Sequence, residues 1–346
     1  MTPTVSVLMA AYNGADLLPA TIESVLAQSF DDWELVVVDD CSTDNTLAVL
    51  HGYDDPRIRV IAAETNQGPV HTRNRAFAET RGRYIAALDQ DDLCHPDRFW
   101  RQVAWLDSHP DTVLVSCAVN FLQDGHIRSA HLTRRLTPEL IDWLMLIRNP
   151  LAWSSVMFRA SAARHLDPFE RPELRYAEDF DFYQRLRTHG EFAQIDDELL
   201  TYRCHPGGAS QKHGDMMAVN ARRVIEEAHV QLCGHASSEA SALLLEHVMQ
   251  RRPVPDLETL ETLFEVIERL QEGFVARRPV SQAGRERIAH EISVLWWETC
   301  RTAVRSGALP LRKTMAATPA RIEAGIGRSA DLIMSGLIGR VRALVA

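Results

Sequence analysis

From Val5 to about Asp92 the chain alternates between two kinds of pattern. Short β-branched and aliphatic runs, VSVLMA, WELVVVDD, RIRVIAA and RYIAALD, are separated by stretches such as ADLLPATIESVLAQS and GPVHTRNRAFAETRG. The runs read as buried strands, and the stretches, with apolar positions three and four residues apart, as amphipathic helices. In the first stretch Leu17, Leu18, Ile22, Val25 and Leu26 share one helical stripe, which is core. Strand followed by helix, repeated, predicts an α/β fold whose mostly parallel central sheet is flanked by helices on both faces.

Further on, HPDRFWRQVAWLDSH reads as a helix with Pro96 in its first turn, TVLVSCAVNFL as a strand, and Asp124-Gly125 as a hairpin turn. TPELIDWLMLIRNP reads as a helix stopped at Pro150, AWSSVMFR as a strand, AEDFDFYQRLRTHG as a helix ending at Gly190, and EFAQIDDELLTYRCH as β structure. After the Gly-rich HPGGAS the strand signals vanish. The expected domains are therefore an α/β domain over 1–212 and an all-helical region over 213–346, in which Trp296 and Trp297 are expected to be buried. The last stretch, RIEAGIGRSADLIMSGLIGRVRALVA, puts Ile322, Ile326, Ile333, Leu337, Val341 and Leu344 on one face and Arg321, Arg328, Arg340 and Arg342 elsewhere. Two readings stand: a helix packed on its own domain or a second subunit, and a basic amphipathic helix in peripheral contact with an anionic membrane.

At 346 residues and 46% hydrophobic, the chain can bury a sizeable core. A net charge of -10 argues against nucleic acid as a partner, because a phosphate-tracking surface needs clustered Lys and Arg. The six cysteines (Cys41, Cys94, Cys117, Cys204, Cys233, Cys300) lie far apart and read as free thiols of a reducing compartment. The first residues read as a strand rather than an export signal, and no window approaches the ~20 apolar residues of a membrane span. The expected location is cytoplasmic, with any membrane contact peripheral.

Three strands end in small or polar residues: Ala11-Tyr12-Asn13-Gly14, Asp39-Asp40, and Asp89-Gln90-Asp91-Asp92. Ligands of open α/β sheets bind beyond the carboxyl ends of the strands, so the three clusters should meet in one crevice. Two carboxylates ~5 Å apart repel by roughly 3 kcal/mol at an effective dielectric of ~20. A positive partner is needed at Asp89-x-Asp91, and a divalent cation, Mn2+ or Mg2+, suits an oxygen-rich turn completed by water and phosphate. The alternative is a solvated turn in which Asp92 caps the next helix. Asp39 and Asp40 can accept from a base N–H or a ribose hydroxyl; Ser42-Thr43-Asp44 already suffices for the local cap. There is no GxGxxG and no GxxxxGK[ST], so a bound diphosphate would depend on metal rather than on a loop of amides. Glu178 and Asp179 open a helix, where they can serve its dipole or, facing an acceptor hydroxyl, act as a general base; the sequence leaves that choice open.

The succession VSVLMAAYNG, WELVVVDDCSTDNT, NQGPVHTRNRAFAETRGRYIAALDQDDLCHPDRF, AEDFDFYQRL and YRCHPGGAS, over roughly residues 3 to 210, resembles family 2 glycosyltransferases, inverting enzymes with the Rossmann-like GT-A fold. The resemblance implies that Ala10, Tyr12 and Asp40, with Asp39 nearby, contact the nucleoside of a sugar nucleotide, and that Asn66, Gly68 and Arg73 line the same pocket. It implies Asp91 as direct metal ligand, Asp89 as a metal, sugar or ribose contact, His205 near the metal or diphosphate, and Asp179 as catalytic base. The implied partners are a nucleoside-diphosphate sugar, with UDP the favoured nucleotide, and a glycan or lipid-linked acceptor of bacterial surface polysaccharide synthesis, with a homo-oligomer also open. Two departures stand out: Asp167-Pro168 where the family carries a glycine, and His71-Thr72 where small residues precede the Arg-Asn pair. The rivals are a sugar-1-phosphate nucleotidyltransferase, disfavoured because AAYNGADLLPA has no Lys or Arg, and a non-catalytic glycan- or nucleotide-binding scaffold.

Overall fold

The computed structural model describes residues 2–129, 135–208, 212–233, 238–323, and 331, 332 and 335. The chain forms two compact units, one of residues 1–141 and 149–220, the other of residues 142–148 and 221–346.

In the first unit β1 (Val5–Ala11), β2 (Trp33–Asp39), β3 (Ile58–Ala62) and β4 (Tyr84–Ala87) are parallel, in the order β3-β2-β1-β4. Every residue of β2 is buried, as a non-alternating valine run requires when both faces of a sheet are covered. Helices α1 (Leu18–Leu26), α2 (Thr46–His51) and α3 (Pro69–Glu79) make the crossovers. Past β4 the sheet continues through β8 (Met157–Arg159), β6 (Thr112–Gln123) and β9 (Glu191–Cys204) to a two-residue edge strand, β5 (Leu93–Cys94). β8 is antiparallel to β4 and β6, while β6 and β9 are parallel. Strand β7 (His126–Ser129) folds back on β6 through Asp124 and Gly125, both at positive φ, as the hairpin turn requires. Helices α4 (Arg98–Ser108), α5 (Pro138–Leu144), α6 (Ala160–Ala163) and α7 (Glu178–Leu186) complete the series.

Several boundaries differ from the sequence reading. α4 starts at Arg98, after Asp97, because Leu93 and Cys94 are drawn into pairing with β9; Pro96 lies outside the helix. α5 ends at Leu144 rather than at Pro150. AWSSVMFR divides into a 3-10 turn, Trp153–Ser155, and β8, and α7 stops four residues short of Gly190.

The second unit takes in most of α8 (Gly214–Cys233), with α9 (Ser238–Leu243), α10 (Leu257–Arg277), α11 (Gln282–Ser306) and α12 (Leu311–Ala316). Asp256 and Ser281 cap α10 and α11 by accepting the amides of Thr259 and Gly284. Phe264 and Trp296 meet edge to face at 4.7 Å, and Trp297 is buried as well. Residues 142–148 belong here through Arg148, 2.9 Å from Glu291, and Asp142, paired with Arg278. Of the terminal amphipathic stretch, Ile322 and Leu332 are buried; most of the remainder lies outside the described residues. Among the described residues no helix is long and apolar enough to cross a membrane.

Candidate active site

The carboxyl ends of β1, β2 and β4 bring the three predicted clusters together. Tyr12, 44% exposed at the end of β1, donates its amide to Gln90 Oε1 (2.9 Å), and Gln90 Nε2 returns a bond to Tyr12 O (3.1 Å). A side chain at Gly14 would collide with Gln90, its Cβ running into the Oε1 atom, so glycine there permits this clamp. Ala10 lies within β1, in register with Val38 of β2.

Asp39 and Asp40 are buried and used by the fold. Asp39 accepts from the Ser42 amide (3.1 Å) and hydroxyl (2.5 Å), while Asp44 accepts from Thr46 at the start of α2. Asp40 accepts the amides of Gln67 (2.9 Å) and Gly68 (2.8 Å), and its carbonyl accepts from Asn66 Nδ2 (3.1 Å). Gly68, at φ 88°, thus joins α3 to the end of β2. Beside Asp40 a cleft of about 240 Å3 is lined by Ala63, Thr65, Gln67, His71 and Arg75 among others. Thr72 is buried and its hydroxyl donates to Gly68 O (2.9 Å), so the two residues of the His71-Thr72 departure face different surroundings.

Arg73 supplies the positive partner the acidic turn needs. Its guanidinium is 3.8 Å from Asp89, 2.9 Å from Glu170, in contact with Glu178, and 5.2 Å from the Trp153 ring. One guanidinium cannot balance three carboxylates. Burial therefore outweighs Arg73's attraction and pushes Glu170 up to about 8. Asp89 is pushed up to about 6 by desolvation, with Asp91 and Glu178 adding to the rise, although 38% of its side chain opens to solvent. Asp179 lies next to Glu178 in the first turn of α7, where Asn149 Nδ2 donates to its Oδ2 (2.9 Å). Burial first, and then the neighbouring Glu178 charge, push Asp179 up to about 7.

Asp91 Oδ2 lies 2.8 Å from His205 Nε2, with both side chains about one quarter exposed. An oxygen and an imidazole nitrogen held together fit a divalent ion that takes its other ligands from water and phosphate. Among the described residues no group of three or more His, Cys, Asp or Glu converges on one point, so protein ligands alone would leave such an ion incomplete. Asp92 does not cap α4. It is buried in the sheet and accepts the Arg203 amide of β9 at 2.9 Å, and burial raises its pKa well above the ordinary range.

Sequence reasoning missed Glu170, Asn149 and Ser154, whose hydroxyl accepts the Asp89 amide (3.0 Å). A signal for Glu170 existed in α3: Arg73 lies among Val70, Thr72, Ala76 and Phe77, a buried face on which an arginine requires acids from elsewhere.

The glycosyl transferase family 2 model matches residues 6–167. EpsE of Bacillus subtilis (strain 168), which bears a glycosyltransferase name, is 34% identical over 193 residues, covering 54% of this chain and 68% of EpsE. The succinoglycan biosynthesis protein ExoO of Rhizobium meliloti (strain 1021) is 47% identical over 106 residues, but the match spans only 31% of this chain and 30% of ExoO. WfaP of Escherichia coli, a UDP-Glc:alpha-D-GlcNAc-diphosphoundecaprenol beta-1,3-glucosyltransferase, is 28% identical, with 60% of this chain and 79% of WfaP covered. Among solved structures, S. aureus TarS 1-349 in complex with UDP-GlcNAc superimposes with a TM-score of 0.56 at 18% identity, covering 97% of this chain and 91% of that 1-349 chain. The mannosyltransferase PcManGT of Pyrobaculum calidifontis, in complex with GDP-Man and Mn2+, gives 0.51 at 16% identity, covering 98% and 88%. With this fold and this match to EpsE, the chain belongs to glycosyl transferase family 2, and it is a glycosyltransferase of the GT-A fold.

Proposed function

We propose that this glycosyltransferase moves a sugar from a nucleoside diphosphate, UDP by preference, to a glycan or lipid-linked hydroxyl in bacterial surface polysaccharide synthesis, with inversion at the anomeric carbon. One observation carries the reading: a single guanidinium, Arg73, touches both the Asp89-x-Asp91 turn and Glu178, and so fixes Asp179 beside that turn. The names of ExoO and WfaP support the setting, and the UDP-GlcNAc complex of TarS supports the donor class.

In this reading Ala10, Tyr12, Asp39, Asp40, Asn66 and Gly68 form the nucleoside side of the crevice, with Asp89 toward the ribose and sugar. Asp91 and His205 would hold Mn2+ or Mg2+, which when bound offsets charge on the departing diphosphate. Asp179 Oδ takes the proton from the acceptor hydroxyl, which Asn149 helps it face by fixing the carboxylate plane. The acceptor oxygen bonds to the anomeric carbon from the face opposite the leaving group. The bond from that carbon to the β-phosphate oxygen breaks, and its electron pair leaves with the nucleoside diphosphate. A carboxylate held near pH 7 suits general-base chemistry, being basic enough to accept the proton and acidic enough to release it afterwards.

The test is calorimetric titration with UDP, dTDP and GDP, with and without Mn2+, alongside transfer assays of Asp179→Asn. Binding of one nucleotide with loss of transfer in the variant is expected. A folded protein that binds none of the three would overturn the donor assignment.

A further inference from the structure

Arg175 is an exposed cation at the edge of an acidic crevice, and no carboxylate pairs with it among the described residues. Its guanidinium lies directly over Gly68: a Cβ built there would meet Cζ, Nη2 and Nη1 at 3.1, 3.2 and 3.3 Å. The loop that presents it is pinned. Arg175 O accepts from Asn220 Nδ2 at 2.8 Å, and the next residue, Tyr176, stacks on His213 with ring centroids 4.2 Å apart. Tyr176 also sits at φ 70°, a conformation that bulky side chains avoid and that persists where surrounding contacts enforce it. The loop that carries this arginine is thus fixed by several contacts, and its guanidinium, bound to no carboxylate among the described residues, rests beside Gly68 and 5.0 Å from the Tyr176 ring centroid.

The charges explain what it is for. Asp40, Asp89, Asp91, Glu170, Glu178 and Asp179 surround this crevice, and Arg73 is already occupied by Glu170 and Glu178. A nucleoside diphosphate adds further negative charge, more than one divalent ion at Asp91 and His205 offsets. Arg175 stands over Gly68, whose amide is bound to Asp40, and lies three residues before Glu178. Its guanidinium therefore stands at the Gly68 edge of the crevice, on the loop that leads into the Glu178-Asp179 turn, free of any described carboxylate and able to meet phosphate oxygens that leave the nucleoside there. We infer that Arg175 is a donor-binding residue that clamps the pyrophosphate of the sugar nucleotide, planar guanidinium to phosphate oxygens. This rests on the nucleoside-diphosphate donor proposed for the same site.

The test uses the full chain and its Arg175→Gln and Arg175→Lys variants, titrated in Mn2+ with the nucleoside diphosphate the wild type binds, and with the matching nucleoside followed by NMR. Arg175→Gln should weaken diphosphate binding about tenfold to a hundredfold and leave nucleoside binding unchanged. Arg175→Lys should recover part of the loss, since it keeps the charge without the fork. The melting temperature should not move, because the side chain is exposed. Diphosphate binding unchanged in Arg175→Gln, or diphosphate and nucleoside weakened by the same factor, overturns the inference. A wild type that binds no nucleoside diphosphate overturns the donor reading instead.

Discussion

Asn149 donates its side-chain amide to Asp179 Oδ2 at 2.9 Å, across thirty residues of chain. The Phe180 amide donates to the other oxygen at 2.7 Å and lowers the carboxylate's pKa against burial and Glu178, and Asn149, a second donor to the charged form, is expected to act in the same direction. Asn149→Ala should move the acidic limb of the kcat–pH profile upward by about one unit from its starting point near 7, since a hydrogen bond to a charged group is worth roughly 1.5–3 kcal/mol and one unit is about 1.36. The measurement is kcat from pH 5.5 to 9. An unmoved limb would mean that Asn149 only shapes its own loop.

Asp179→Asn should abolish transfer, by about a hundredfold or more, and yet raise stability. The ordinary carboxyl value is 3.8 and the folded value about 7, so between them the folded protein holds a proton that the unfolded chain releases. Stability from this group is fully present below 3.8 and is lost as pH rises through 7. The amide cannot ionise and escapes that loss. The melting temperature of the variant should exceed wild type by several degrees at pH 8, by roughly a third as much at pH 5, and by almost nothing at about pH 3.5, read by calorimetry.

The strand ends were readable from sequence because their signals are local. A valine run such as Val36-Val37-Val38 can only be a covered strand, and the chain must emerge from it at Asp39. Asn149, Ser154 and Glu170 were not readable, because each looks like ordinary loop polarity until the fold brings it to a partner 30 to 97 residues away. Asp92 misled for the same reason: its acceptor role is set by the Arg203 amide, 111 residues on, not by the helix that follows it. Asp39 and Asp44 show the converse, a turn whose local hydrogen bonds take up more acids than the nearest helix cap requires.

Arg73→Met should destabilise the first unit by about 3–5 kcal/mol, because Glu178 would be left buried without its cation and Glu170, already pushed up to about 8, would lose the donor that holds its carboxyl. Adding Glu170→Gln to that variant should recover more than about 1 kcal/mol, since the amide replaces a carboxyl that must hold a proton to remain buried. Denaturant midpoints of the single and double variants decide this. Strictly additive losses would mean that Arg73 and Glu170 contribute independently.

Asp91 and His205 touch at 2.8 Å, so removing either partner changes the other as well as any ion between them. Wild type should bind its nucleoside diphosphate at least about tenfold more tightly with Mn2+ than with EDTA. Asp91→Asn and His205→Ala should each lose most of that increment. In EDTA the two should diverge. Asp91→Asn removes a negative charge that faces the diphosphate and should bind it more tightly than wild type, whereas His205→Ala keeps that charge, removes only its hydrogen-bond partner, and should bind no more tightly than wild type. Calorimetry with both variants, with and without metal, reads all four values. An increment as large in His205→Ala as in wild type would remove the imidazole from the ligand set and leave it as a hydrogen-bond partner of Asp91 alone.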